Sequence, residues 1–201
     1  MFKKLFVILM LTVMCLCPVM AEGSSDNNED FHNQDEGETY ISPEYQKWLL
    51  THQQSNAKAS INILSVSRIA QGDYSAPIST SGCALCCFTM DYNFLTSSNL
   101  GADAMYNWLG HVSMQWYNDA TTVGITCQAA LVVTNGTAIP NICINNIDAN
   151  RPVIVQLYKS STGEYHYVIA HGYKVTNSTT IIYIKDPGGN NYTTLAAATT
   201  S

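Results

Sequence analysis

The chain has 201 residues, nine Lys and Arg against fifteen Asp and Glu, and a formal net charge of −6. That balance excludes the basic footprint of a nucleic-acid-binding protein. It is also uneven: Glu22 to Glu38 holds seven acids and no Lys or Arg, whereas from residue 39 onward eight acids face seven Lys and Arg.

The N-terminus, Met1-Phe2-Lys3-Lys4, leads into an apolar run from Leu5 to Met20 and then to Val19-Met20-Ala21 before Glu22. This predicts a secretory signal over residues 1–21, cleaved after Ala21. The run is short and carries Pro18, which argues against a permanent membrane anchor, and the residues before Cys15 and Cys17 make a poor lipidation box. What remains is about one ordinary domain plus a tail, large enough to bury a core without staples.

Residues 22–59 read as a solvated acidic linker. It ends in a short helix from Ser42 to Leu50, with Ser42 as cap and Pro43 at the first helical position. This helix is expected to pack on the domain as part of a linker, with a pro-segment that shields a site as the other reading. The domain is placed at residues 60–201. Ser60 to Ser67 alternates as a strand does, and "AQGDYSAPISTSG" (70–82) reads as loop without a regular element. From Cys83 the pattern is helical to about Thr96-Ser97-Ser98. A second helix is expected over Ala102 to Leu109, stopped by Gly110. The segment from His111 to Ile139 gives no clear period, and "CQAALVVT" fits helix and strand equally. "RPVIVQLYK" (151–159), "YHYVIAHGYKV" (165–175) and "TIIYIKDP" (180–187) are strands separated by turns at Ser160–Gly163 and Asn177-Ser178. They form an antiparallel meander, so with the preceding helix the expected class is α+β.

Five cysteines lie beyond residue 21: Cys83, Cys86, Cys87, Cys127 and Cys143. The odd number leaves at least one unpaired, and spacing does not decide whether Cys127 pairs with Cys143. No second ligand pair at zinc spacing accompanies the Cys83 cluster, so no metal site is expected. Cys83-Ala84-Leu85-Cys86 has redox-motif spacing, but its lead-in is a Ser/Thr/Gly/Pro loop rather than a buried strand. Burial in the core suits Cys87 and Cys86 but suits Cys83 less, directly after Ser81-Gly82 at a helix entrance. There the unpaired N–H groups favour an anion and hence a nucleophilic thiolate.

Such a thiol needs a base. His32 and His52 lie outside the domain, which leaves His111, His166 and His171. The last two, five residues apart on one strand, point to opposite faces, and periodicity does not say which meets the thiol. Asp186, at the end of the next strand, would lie beside His166 if the two strands form a hairpin, where it could orient the imidazole. Asp186-Pro187-Gly188 reads equally well as an ordinary turn.

Taken in order, these pieces resemble papain-like cysteine peptidases related to the bacteriocin-processing (double-glycine) peptidases. "SGCALCCFTM" is similar to that group's Ser-Gly-Cys-Gly/Ala-x-x-Ser-x-x-Met nucleophile signature. "RPVIVQL" resembles its Gly-x-Pro-Val-Ile-Val strand, "HYVIAHGY" its His-Trp-Val-Val-x-x-Gly-Tyr strand, and "IYIKDPGG" its strand leading to Asp-Pro. The likeness covers about residues 60 to 190. It implies a papain-like α+β fold with the nucleophile helix packed against an antiparallel sheet. It also implies Cys83 as nucleophile, His166 as general base and acid, and Asp186 as the orienting group. "AQGDYS" is similar to the family's Gln-x-Asp segment, which implies Gln71 as an oxyanion-hole donor.

Departures from the pattern are Cys86 and Cys87 in place of Thr and Ser, Tyr167 in place of Trp, and Asn150-Arg151 in place of the Gly before Pro. With the signal over residues 1–21, the resemblance thus points to a secreted or otherwise extracytoplasmic cysteine peptidase acting on a peptide or protein. The mechanism it implies needs no metal and no organic cofactor, and the short apolar run leaves no integral membrane segment expected after signal cleavage. Three alternatives use the same residues differently. One is another thiol acyl-transfer enzyme on this fold, such as a peptidoglycan amide hydrolase or a transglutaminase-like enzyme. The others are a thiol-disulfide redox protein and an inactive binding domain.

Overall fold

The computed structural model describes residues 40–41, 47, 60–127, 129–130, 138–159, 163–176 and 179–199. The expected signal segment, the turns at 160–162 and 177–178, and most of residues 22–59 lie outside the described residues. The helix expected from Ser42 to Leu50 is described only at Lys47, which is helical.

The organising element is a four-stranded antiparallel sheet. Strands β4 (Val153–Lys159), β5 (Glu164–Val175) and β6 (Thr180–Lys185) form the expected meander. Twelve-residue β5 is its spine: one edge pairs with β4 along Glu164 to Ala170 and then with β2 (Ser60–Ile63) along Gly172 to Val175. The other edge pairs with β6, with a bulge between Ala170 and Gly172 that centres on His171. Val153 to Leu157 are all buried, as expected of a β-branched, apolar run covered on both faces. β6 alternates, turning Ile182 and Ile184 inward. A separate two-residue pairing joins β1 (Tyr40–Ile41) to β3 (Ala129–Ala130), which gives strand to part of the "CQAALVVT" segment.

Against this sheet packs α2 (Cys83–Thr96), in which every residue from Ala84 to Asp91 is buried. A helix apolar on nearly all sides belongs at the centre of a core, and Leu85, Phe88 and Met90 are among its largest fully buried side chains. The helix ends where Ser97 turns left-handed at φ 55°, and the N–H groups of Ser97 and Ser98 close on the Asn93 carbonyl. Helix α3 (Ala102–Leu109) has the bounds its sequence predicts, stopped by Gly110 at φ 80°. This α+β arrangement, with helix α2 packed on an antiparallel sheet, matches the expected fold class.

One local expectation is corrected, and two stretches left open by the sequence are assigned. The loop at 70–82 contains a 3-10 turn at Gln71–Asp73 and a one-turn helix, α1 (Ile78–Ser81). The carbonyls of Ser75 and Pro77 accept the N–H groups of Ser79 and Ser81, and buried Ile78 anchors the turn. The unassigned stretch carries helix α4 (Trp116–Thr122), and beyond it stands α5 (Ala138–Asp148). "AIPNICINNID" has poor helix propensity, but Pro140 falls in the first turn, where its missing N–H costs nothing. Ile139, Cys143, Ile144 and Ile147 form the buried stripe that packing rewards. A short α6 (Leu195–Thr199) packs on β6. All five described cysteines are free thiols, including Cys127 and Cys143.

Candidate active site

Cys83 is the first residue of α2. A Cβ on the preceding Gly82 would stand 2.6 Å from the Ile78 carbonyl oxygen and 2.8 Å from its Cα. Only glycine lets the chain pass from α1 into α2 so closely, and this sets the thiol at the helix entrance. Of the three clustered cysteines Cys83 alone is partly exposed. Cys86 and Cys87 are fully buried. Burial pushes the Cys86 thiol up to about 12, with the Cys83 charge adding to it, and holds Cys87 well above its ordinary value for the same reasons.

His166 reaches the same point from β5. Its Nε2 donates to Asp186 Oδ1 at 2.7 Å, and the Cys83 thiol lies close enough to the ring to act on its protonation. Burial works against the imidazolium. The hydrogen bonds to Asp186 and Cys83, together with their negative charges, outweigh it and raise His166 from 6.5 to about 9. The Asp186 side chain is 1% exposed. Burial alone would raise it, but three N–H donors hold it below the ordinary carboxylate value: His166, Gly188 at 2.7 Å and Tyr192 at 3.1 Å.

The loop after Asp186 is pinned by three consecutive carbonyls. Arg68 Nε donates to the Asp186 carbonyl at 2.6 Å, the Gln71 N–H to that of Pro187 at 2.8 Å, and Arg68 Nη2 to that of Gly188 at 2.9 Å. The Gln71 side chain donates through Nε2 to the Ser79 carbonyl at 3.0 Å. This residue therefore ties the lead-in of α2 to the Asp186 loop, with a second N–H on the same amide nitrogen left over. A Cβ at Gly188 would stand 3.0 Å from His166 Cε1 and 3.3 Å from Nε2, so this glycine forms the wall against which the imidazole lies.

The structure thus brings together Cys83, His166 and Asp186, with Gln71 on the adjoining segment. His171 is elsewhere: its Nδ1 donates to the Leu64 carbonyl at 3.0 Å, and burial, aided by the Lys185 charge, lowers its pKa. His111 forms a second histidine–carboxylate pair, Nε2 to Asp119 Oδ1 at 3.2 Å, on the loop before α4 and on that helix itself. Near His166 on β5, the Tyr167 ring packs at a tilt against Trp116, with ring centroids 5.5 Å apart. Arg68 escapes a reading of the sequence by motif, and Gly188 enters it only as part of a turn. Arg68 did leave a signal, as the single Lys or Arg between Lys58 and Arg151. Among the described residues no three His, Cys, Asp or Glu side chains converge as metal ligands.

A thiol against an imidazole that is itself held by a buried carboxylate is the arrangement that acyl transfer through a covalent thioester needs. Among the described residues no helix is long and apolar enough to cross a membrane. The family model described as the Peptidase_C39 like family matches residues 63–200, and the chain belongs to that family. At the level of the family it is a cysteine peptidase, with a peptide or protein as substrate class. No curated protein and no solved structure matches the chain.

Proposed function

We propose that the protein is an exported thiol hydrolase that cleaves a peptide bond through Cys83, His166 and Asp186. The observation that carries this reading is the continuous contact from the Cys83 thiol through the His166 ring to buried Asp186. His166 takes the thiol proton, and the sulfur attacks the scissile carbonyl carbon. The resulting oxyanion rests on the Cys83 backbone N–H at the start of the helix, where intrahelical partners run out, and on the free N–H of the Gln71 amide. His166 then returns its proton to the leaving amine as the C–N bond breaks. It next deprotonates a water that attacks the thioester, which regenerates the thiol and releases the acid. Asp186 stays ionised throughout and fixes which ring nitrogen faces sulfur. Export is proposed from the signal over residues 1–21, and the catalytic domain from residues 60–201.

The test is alkylation of the reduced protein with an iodoacetamide or epoxide probe, followed by peptide mapping. Labelling is expected at Cys83, with Cys86, Cys87 and Cys143 silent, and it should fall steeply in His166→Ala. Equal labelling of several cysteines, or Cys83 labelling indifferent to His166, would sink the assignment.

A further inference from the structure

Behind the Asp186 loop, on the side of the loop carbonyls that Arg68 clamps, lies a cleft of about 430 Å³. Arg68, His171 and Lys185 line it together with Tyr183, Asn191 and Tyr192, and none of its lining residues is Asp or Glu. This runs against the composition of an acidic protein. Neither Arg68 nor Lys185 has a carboxylate partner among the described residues: Arg68 spends two of its three nitrogens on backbone carbonyls, and the ion pairs present are the two histidine–aspartate ones. The Lys185 charge lies close enough to His171 to disfavour the imidazolium. Like charges gathered in a concave, partly enclosed space repel one another, and an anion seated among them relieves that cost.

We propose that this cleft is the docking site of a carboxylate-bearing peptide segment, and that its occupant is the chain's own acidic stretch from Glu22 to Glu38. That stretch carries seven acids and no Lys or Arg, while the rest of the chain beyond it is nearly neutral. The segment is also tethered: Tyr40–Ile41, two residues after Glu38, is fixed to the domain by its pairing with Ala129–Ala130. At ~3.3–3.6 Å per extended residue, seventeen residues reach tens of ångströms, far enough to span a domain of this size. Such a tether makes docking intramolecular, at an effective concentration on the order of millimolar. Arg68 belongs to both the cleft and the catalytic loop. A carboxylate on its remaining nitrogen therefore touches the group that holds Asp186 and Gly188 in place.

The test uses the full mature chain and zero-length carbodiimide coupling, which joins a lysine amine to a carboxylate in direct contact, read by peptide mapping. Lys185 is expected to couple to an acid within residues 22–38. Lys174, exposed on the same spine strand, supplies the comparison and is expected to couple several-fold less. Coupling at Lys185 should fall about fivefold or more near 1 M salt, where the screening length is about 3 Å, and fall likewise when the seven acids are replaced by amides. Lys185→Arg keeps the charge and the fold but has no amine to couple, so loss of the product there verifies the site.

Equal coupling at Lys174 and Lys185 would overturn the proposal, as would coupling of Lys185 only to acids outside 22–38. In a mixture of isotope-labelled and unlabelled protein, products formed between molecules would overturn the intramolecular occupant. If glutarate at tens of millimolar abolished coupling while the amide-substituted chain coupled normally, the occupant would be a free carboxylate and the proposal would fail. None of these readouts involves hydrolysis, so they stand or fall separately from the peptidase reading.

Discussion

Two histidine–aspartate pairs stand among the described residues, and they are exposed to nearly the same degree: 33% and 1% for the side chains of His166 and Asp186, 34% and 5% for those of His111 and Asp119. Their carboxylates nevertheless move in opposite directions, Asp186 down and Asp119 up. For Asp119 burial prevails over the Gln115 N–H and His111. For Asp186 it does not, because the loop adds the Gly188 and Tyr192 N–H groups and the imidazole lies closer, at 2.7 rather than 3.2 Å. The thiol is the other difference: only His166 has one on its far side. A histidine beside an aspartate is thus a common element. Backbone donors around the carboxylate and a nucleophile beyond the ring are what separate a candidate catalytic pair from a structural one.

The sharpest way to break this comparison is to neutralise each carboxylate. Asp186→Asn should lower kcat by about 100-fold or more, since the amide presents the wrong partner to the imidazole. Asp119→Asn should change kcat by less than about threefold, within the range of a site away from the chemistry. Steady-state kinetics on both variants decides it, and equal losses would erase the distinction drawn here.

A smaller effect, roughly tenfold to 100-fold on kcat, is expected from Gly188→Val, which drives a side chain into the space of the His166 ring and misaligns it. KM should change less than kcat, and circular dichroism should show the fold retained.

The smallest effect is on pH dependence. His166 is raised above its ordinary value, so the stabilisation it draws from its partners is fully present below about 6.5 and is lost as pH rises through about 9. Asp186 is lowered, so its contribution is present above its ordinary value of 3.8 and is lost as pH falls through its folded value. The basic limb of the rate profile should therefore lie near 9 and move toward neutrality in Asp186→Asn, because a raising partner is gone. In Asp119→Asn the limb should stay where it is. A limb that stays put in both variants would mean that His166 does not report through Asp186.

The extent to which the sequence could be read varies from element to element for physical reasons. Helix α3 was legible to its bounds because an amphipathic run ended in a glycine. The β4–β5–β6 meander was legible because long β-branched runs alternate with turn residues. Helices α4 and α5 were not, since their residues have weak propensity and tertiary packing makes them helical. The choice between His166 and His171 could not be made from period alone. A bulge at residue 171 and the Leu64 carbonyl settle where His171 goes.

The sequence by itself determined the class of the fold, the membership of the family and the set of residue types able to do acyl transfer. All three follow from local pattern, which needs no knowledge of distant neighbours. Only the tertiary structure decided that Arg68 clamps the Asp186 loop from 118 residues away and that Gly188 walls the imidazole. It also decided that Cys86 and Cys87 are sealed in the core beside a reachable Cys83. These are contacts between segments far apart in the chain, fixed when the sheet and α2 close on one another.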